Sequence, residues 1–189
     1  MIRLLLCAMV ALLAIAAPAA TDSKDKATSM DLTSIPYSNT DGTTETLSKY
    51  KGKVLLVVNV ASRCGYTPQY AGLEKLYREH LGQGLLVVAF PSNDYGAQEP
   101  GNDLEILEFC RSKYDVTFPV KSKLSTKGAG KSPLYAALTG PTSPFPGEVA
   151  WNFEKFLVSR DGKIVNRFKS GVRPDSPELV EAVKAELAR

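Results

Sequence analysis

Lys53-Val-Leu-Leu-Val-Val-Asn-Val-Ala-Ser-Arg-Cys64-Gly-Tyr-Thr67-Pro68 decides the architecture. It opens as a continuous Val-rich apolar run that ends near Val60. A short run of this kind, bounded by Gly52 and a polar turn, predicts a central strand buried on both faces. The chain then breaks sharply over Ala61 to Gly65, with one cysteine inside the break. Thr67 and Pro68 have the chemistry of an N-cap and a first helical residue. Tyr70, Leu73, Leu76, Tyr77 and Leu81 then recur at helical spacing and predict a helix over 68–81. Cys64 is therefore expected on the loop between a buried strand and a helix start. Unpaired N–H groups at a helix start, together with the macrodipole, favour a nearby anion, and Arg63 offers a positive charge beside it. Both favour the thiolate, the nucleophilic form of cysteine, and make Cys64 a candidate nucleophile. The competing reading is a small buried hydrophobe, the commoner fate of a lone cysteine.

On the C-terminal side, Gly82 and Gly84 end the helix, and Leu85–Phe90 forms a second apolar run. Strand, helix, strand in this order predicts a parallel right-handed crossover. Pro91 to Gly101 reads as a loop, and Asn102 or Asp103 caps a second helix that ends near Tyr114. Its inward face is expected to carry Leu104, Leu107, and Cys110 or Arg111, widened by Ile106 and Phe109. Val116–Val120 is short and extended, 121–132 is a connection, and Pro133–Leu138 allows one or two helical turns. Gly140–Gly147, with three prolines, is loop. Trp151–Ser159 and Lys163–Phe168 flank Asp161-Gly162, a strong hairpin signal. Ser176-Pro177 opens a closing helix to Ala188, with Leu179, Val180, Val183 and Leu187 inward. On the N-terminal side, Leu32–Pro36 and Glu45–Leu47 are expected to form a small hairpin around Asp41-Gly42. The order after that hairpin, β-α-β-α-β-β-α, predicts one α/β domain with a mixed sheet and helices on both faces.

The 189 residues suffice for a single domain over 31–189, and an apolar share of 44% with 23% charged is that of a soluble globular protein. A net charge of +3, with no basic run, argues against nucleic acid as a partner. At the N-terminus, Arg3 precedes an uncharged stretch from Leu4 to Ala17, and Ala17-Pro18-Ala19 fits a small-residue cleavage site. Residues 1–19 thus read as a secretory signal peptide and 20–30 as a polar leader, which predicts an exported protein. An uncleaved anchor is the alternative, but the run is short for a membrane span, so no stable anchor is expected. Removal of Arg3, the only charged residue in the signal, lowers the net charge to +2. Cys7 leaves with it, so Cys64 and Cys110 remain. In an exported protein a structural disulfide is the plain expectation for such a pair.

Three stretches resemble the signature motifs of the glutathione peroxidase family, in family order: Asn59-Val-Ala-Ser-Arg-Cys64-Gly-Tyr-Thr67, Phe90-Pro-Ser-Asn-Asp-Tyr-Gly-Ala-Gln98-Glu-Pro-Gly and Trp151-Asn152-Phe-Glu-Lys-Phe-Leu-Val. The likeness runs from about Leu32 through the rest of the chain. It implies a thioredoxin-like fold and a catalytic set of Cys64, Gln98, Trp151 and Asn152. It also implies reduction of hydrogen peroxide and organic or lipid hydroperoxides, with no cofactor, and a role in the response to oxidative stress. The residue types suit the chemistry. A thiolate attacks one peroxide oxygen, and neutral amide and indole donors hold the sulfur anion and the peroxide oxygens. Taken alone, Trp151 would be read as core filler, and Gln98 and Asn152 as turn hydrogen bonders. The product at Cys64 is a sulfenic acid. Cys110, within Glu108-Phe-Cys-Arg-Ser-Lys-Tyr-Asp-Val-Thr-Phe-Pro119, matches the motif that bears a resolving cysteine in thioredoxin-dependent members. The implied reductant is thioredoxin or glutathione, the former favoured.

Two positions depart from the pattern. Ser92 stands where many members carry cysteine, and Asp94 follows Asn93 where Gln is usual. The segment before Trp151 is short, which predicts a monomer. A disulfide needs Cα atoms within about 7 Å, so a Cys110 held in a helix implies that this helix partly unwinds to reach Cys64. A thiol–disulfide oxidoreductase on the same fold would need Cys-x-x-Cys, and Thr67 occupies the second position. A copper-binding relative would need histidine near its cysteines. The only one, His80, is expected to face solvent on the first helix. A peroxide sensor that passes its disulfide to a partner would use the same Cys64 and Cys110.

Overall fold

A computed structural model describes residues 32–189; the signal peptide and leader expected over 1–30 lie outside the described residues. Leu32–Ser34 forms a single 3-10 turn. Strands β1 (Pro36–Ser38) and β2 (Thr44–Thr46) then pair antiparallel. The turn lies at Asp41-Gly42, where Gly42 takes φ 82°, a left-handed value that glycine reaches without strain. The hairpin is shorter than expected. Its first strand starts at Pro36, because Leu32 and Ile35 are consumed in core contacts before it.

The Val-rich run is β3 (Val54–Val60), and all seven residues are buried. Helix α1 (Gln69–His80) follows, then β4 (Leu85–Pro91), also buried throughout. Gly84 at φ 101° closes the link between them. β3 and β4 run parallel in register from Val54↔Leu85 to Val60↔Pro91. Helix α2 spans Asp103–Tyr114, α3 spans Pro133–Thr139, and a hairpin of β5 (Lys155–Val158) and β6 (Ile164–Phe168) precedes α4 (Pro177–Leu187). β5 lies antiparallel to β3, so the sheet is mixed, in the order β4-β3-β5-β6. Val120 adds an isolated parallel bridge to Ala89, where Pro119 and Lys121 bond its backbone.

Burial of every β3 residue requires cover on both faces. On one face, Tyr135 of α3 meets Phe90 and Phe156 edge-on, and Tyr37 of β1 meets Phe90 at 5.1 Å. On the other, α1 and α4 pack on β4 and β3. At Gly72 of α1, an added Cβ would lie 3.3 Å from Pro174, so the helix and the 170–175 segment approach closely there.

Two readings of helix faces need correction. In α2 the buried residues are Ile106 and Cys110, four apart on one stripe, while Leu104 is 69% exposed. The helix is fixed at its start by a reciprocal cap. Asn102 accepts from the N–H groups of Leu104 and Glu105, and Glu105 accepts from the Asn102 N–H at 2.8 Å. The start of α2 therefore needs no apolar anchor at Leu104. His80 is buried, not solvent-facing, because it continues the Leu73, Leu76, Tyr77 stripe of α1. Its Nδ1 sits 3.3 Å from Gln83 Oε1.

Candidate active site

Three connecting segments converge past the end of β3: the turn 61–68, the loop 91–101 and the turn 150–154. The first presents the cysteine. Helix α1 starts at Gln69 rather than Pro68, and Pro68 takes the cap position. Thr67 is freed from capping the helix and supports the Cys64 turn instead. Its hydroxyl accepts from the Cys64 N–H at 2.9 Å and donates to the Ala61 carbonyl at 2.8 Å, and its N–H bonds the Cys64 carbonyl. The Tyr66 N–H points at Cys64 Sγ at 3.4 Å, a donor aimed at the reactive atom. Cys64 itself is 8% exposed.

The second segment brings Gln98. Consecutive left-handed residues, Gly96 (φ 64°) and Ala97 (φ 53°), fold the loop back on itself. The Gln98 carbonyl then accepts from the Arg63 N–H at 3.0 Å, beside Cys64. The Glu99 N–H is held by Asn93 Oδ1 at 2.8 Å.

The third segment brings Trp151 and Asn152, and β3 itself anchors it. Asn59, a polar residue inside the apolar strand, donates from Nδ2 to the Trp151 carbonyl at 3.1 Å. Its own carbonyl accepts from the Phe153 N–H at 2.6 Å, and Phe153 is bent to φ 66°. The buried Lys155 amine clamps the same bend, donating to the carbonyls of Phe153 (2.7 Å) and Val172 (2.8 Å). Burial pushes that amine down to about 7. Asn152 Nδ2 donates to Gln98 Oε1 at 3.0 Å, which joins the second and third segments directly. The Trp151 indole is 38% exposed at the mouth and rests against Tyr95, ring centroids 5.7 Å apart. The Tyr95 hydroxyl donates to the Val149 carbonyl at 3.0 Å and lies 2.8 Å from Thr126 Oγ1.

The structure thus gathers Cys64, Gln98, Trp151 and Asn152 around one strand end. Cys110 sits apart from them in kind. It lies inside α2, fully buried, and its thiol is pushed up to about 11 by burial, with the Tyr70 hydroxyl opposing that and the negative charge of Glu99 adding to it. Both cysteines are free thiols, so the structural-disulfide expectation does not hold in this state.

The two departures in the loop turn out to be partners. Ser92 Oγ donates to Asp94 Oδ2 at 2.9 Å. Asp94 also accepts from Ser125 and from the N–H and hydroxyl of Thr126. These donors hold its carboxyl below the usual range against the opposing effect of burial. Asp94 is a strut between the loop and residues 125–126, not a free carboxylate at the mouth.

The motif reading passed over Asn59, Thr67, Glu99 and Lys155. Asn59 was signalled by polarity inside an otherwise apolar strand, and Glu99 and Lys155 are charges adjacent to motif residues. Thr67 carried a helix-cap signal that its other partner overrode. Among the described residues no group of three or more His, Cys, Asp or Glu side chains could hold a metal ion.

A family model for glutathione peroxidase matches residues 32–139. The thioredoxin/glutathione peroxidase BtuE of Escherichia coli is 41% identical over 170 residues, 79% of this chain and 93% of that protein. A glutathione peroxidase-like peroxiredoxin of Schizosaccharomyces pombe is 46% identical over 139 residues, covering 73% and 88%. A hydroperoxy fatty acid reductase of Synechocystis is 46% identical over 142 residues, covering 71% and 84%. Among solved structures, Trgpx in its apo form superposes with a TM-score of 0.67 at 33% identity, over 84% of this chain and 96% of that one. A thioredoxin-family thiol:disulfide interchange protein from Chlorobium tepidum, at 15% identity and a TM-score of 0.59 over 81% and 92%, shares the fold.

Proposed function

This chain belongs to the glutathione peroxidase family and is a thiol peroxidase of hydroperoxides served by a thioredoxin-like reductant, and from that premise we propose how its residues divide the work. The Cys64 thiolate attacks the terminal oxygen of a hydroperoxide. The O–O bond breaks, Cys64 becomes a sulfenic acid, and the alkoxide or hydroxide leaves and takes up a proton. The Tyr66 N–H steadies the sulfur, and the Asn152 and Gln98 amides with the Trp151 indole N–H hold the peroxide oxygens. The Asn152–Gln98 bond carries this reading, because it locks two donors from segments 54 residues apart at the same strand end.

Cys110 then resolves the sulfenic acid. Its thiol sulfur bonds to Cys64 sulfur, water leaves, and the resulting disulfide is returned to two thiols by thioredoxin or, less directly, glutathione. Since Cys110 is enclosed in α2, the helix opens over part of 103–116 to let the sulfurs meet. No resident cofactor enters this cycle. The short 140–150 connection supports a monomer, and the N-terminal apolar stretch supports export.

Turnover of hydrogen peroxide and a lipid hydroperoxide, with thioredoxin or glutathione, in wild type, Cys64→Ser and Cys110→Ser tests the scheme. Cys64→Ser should lose both activities, and Cys110→Ser only the thioredoxin-linked one. A thioredoxin-linked rate equal to wild type in Cys110→Ser would remove Cys110 from the cycle. Hydrogen exchange over 103–116 should rise on oxidation; unchanged protection with the disulfide formed would rule out helix opening.

A further inference from the structure

Between the Cys64 turn and the start of α2 lies a cleft of about 280 Å³, lined by Ser62, Arg63, Glu99, Gly101, Glu105 and Phe109. The peroxide step uses none of its side chains. Glu99 is fully buried there. Neither of its carboxylate oxygens has a close hydrogen-bond partner among the described residues, and Ser62 flanks it. A buried carboxyl in this condition is costly to ionise, and perturbed titratable groups of this kind cluster at functional sites.

The neighbours of Glu99 come from several elements. From the Cys64 turn it is faced by Ser62 and Arg63, and from the 121–132 connection by Lys123. Lys123 spends its amine on the carbonyls of Glu99 (3.2 Å) and Gly101 (2.6 Å), not on the carboxylate. Glu105, across the cleft, is occupied by the α2 cap. From α2 and α1, Cys110 and Tyr70 both feel the Glu99 charge. Glu99 therefore stands between the two segments whose sulfurs must join. It is also the residue after Gln98, so its backbone is tied to the Arg63 loop.

We propose that Glu99 is the proton acceptor for Cys110 in disulfide formation, an inference that rests on the assignment of Cys110 above. As α2 opens, the Cys110 sulfur attacks Cys64 sulfur while its S–H proton passes to the Glu99 carboxylate in the same step, the S–O bond breaks, and hydroxide leaves. Hydroxide takes the proton back from Glu99 and departs as water. The sum is one thiol plus one sulfenic acid giving one disulfide plus water, with Glu99 returned to its starting state. Burial raises the Glu99 carboxyl to about 6, so it is ionised at neutral pH yet far more basic than a solvent-exposed glutamate. The Cys110 thiol, pushed up to about 11, does not lose its proton to water at neutral pH at a useful level. A base is needed as α2 opens, and Glu99 lines the cleft between α2 and the Cys64 turn, with Ile106, one turn before Cys110 on the same stripe, on its other wall.

The test is a single turnover. Reduced wild type, Glu99→Gln and Glu99→Asp are each mixed with one equivalent of hydrogen peroxide from pH 5 to 8. Samples are quenched by alkylation, and Cys64 sulfenic acid and the Cys64–Cys110 disulfide are counted by mass. In wild type the disulfide-forming rate should rise about tenfold through pH 6. In Glu99→Gln it should fall at least about tenfold relative to that variant's own peroxide step, lose the rise at pH 6, and let sulfenic acid accumulate. Glu99→Asp should recover part of the rise. A Glu99→Gln profile that matches wild type in rate and pH dependence overturns the proposal. If wild type makes sulfenic acid but never the disulfide, the Cys110 assignment falls and takes this inference with it. If no sulfenic acid forms in any variant, Cys64 itself is misassigned.

Discussion

Cys64 and Cys110 are the same side chain in opposite settings. Cys64 lies in the turn 61–68, 8% exposed, with one N–H aimed at its sulfur and its own backbone tied by Thr67. Cys110 lies in the middle of a capped helix, fully buried, with a tyrosine hydroxyl and a carboxylate for company. The first environment presents its sulfur at the strand end beside an N–H donor. The second keeps a thiol protonated and out of reach until the first has reacted. Reactivity here belongs to the surroundings, and the fold holds one sulfur ready and the other in reserve.

Substitutions should separate the two. Cys64→Ser should lower peroxide consumption by about 1000-fold or more under any reductant, since the other cysteine among the described residues, Cys110, is enclosed in α2. A smaller loss in a coupled peroxide assay would mean that Cys110 can take the first step itself. Asn152→Ala should reduce the second-order rate of Cys64 oxidation by about 100-fold while leaving the subsequent disulfide step near its native pace. Equal damage to both steps, measured by quenched-flow mass analysis, would erase the division between the sites.

The Glu99 carboxyl links the comparison to stability. Its folded value of about 6 lies above the ordinary 4.5, so the neutral form is favoured by the fold. As pH rises from 4.5 through 6 the unfolded chain ionises first, and the native state loses about 2 kcal/mol. Glu99→Gln should then be more stable than wild type by about that amount at pH 7.5, and the gain should vanish near pH 4, as read by urea unfolding. Tyr70→Phe makes the smallest change. It removes the hydroxyl that favours the Cys110 thiolate, so disulfide formation should slow about fivefold with Cys64 oxidation unaltered. Acceleration instead would show that Tyr70 restrains Cys110 rather than helping it.

Much of this was legible before any coordinates, and the reason is locality. The buried run to Val60, the Asp-Gly turns, the cap at Asn102 and the helix start at Ser176-Pro177 are each decided by a few neighbouring residues. The motif likeness then carried Gln98, Trp151 and Asn152 to the strand end. What escaped was decided by partners distant in the chain. Asp94 reads in sequence only as a departure from the usual Gln, and its role as a strut comes from Ser92, Ser125 and Thr126 converging on it. Asn59 acquires its meaning only from the turn 92 residues later. Leu104 and His80 were misread for a related reason. Periodicity proposes several stripes on a helix, and only the layer packed against it selects one.

The indole at the mouth has a practical consequence. Trp151 is the single tryptophan in 189 residues, partly open to solvent, with its carbonyl moored to the central strand and its ring against Tyr95. Excited at the red edge of the aromatic band, the whole protein therefore emits from this one place. Every change of charge, hydration or geometry around the reacting sulfur can be followed in real time as light, with no label attached and no background from elsewhere in the chain.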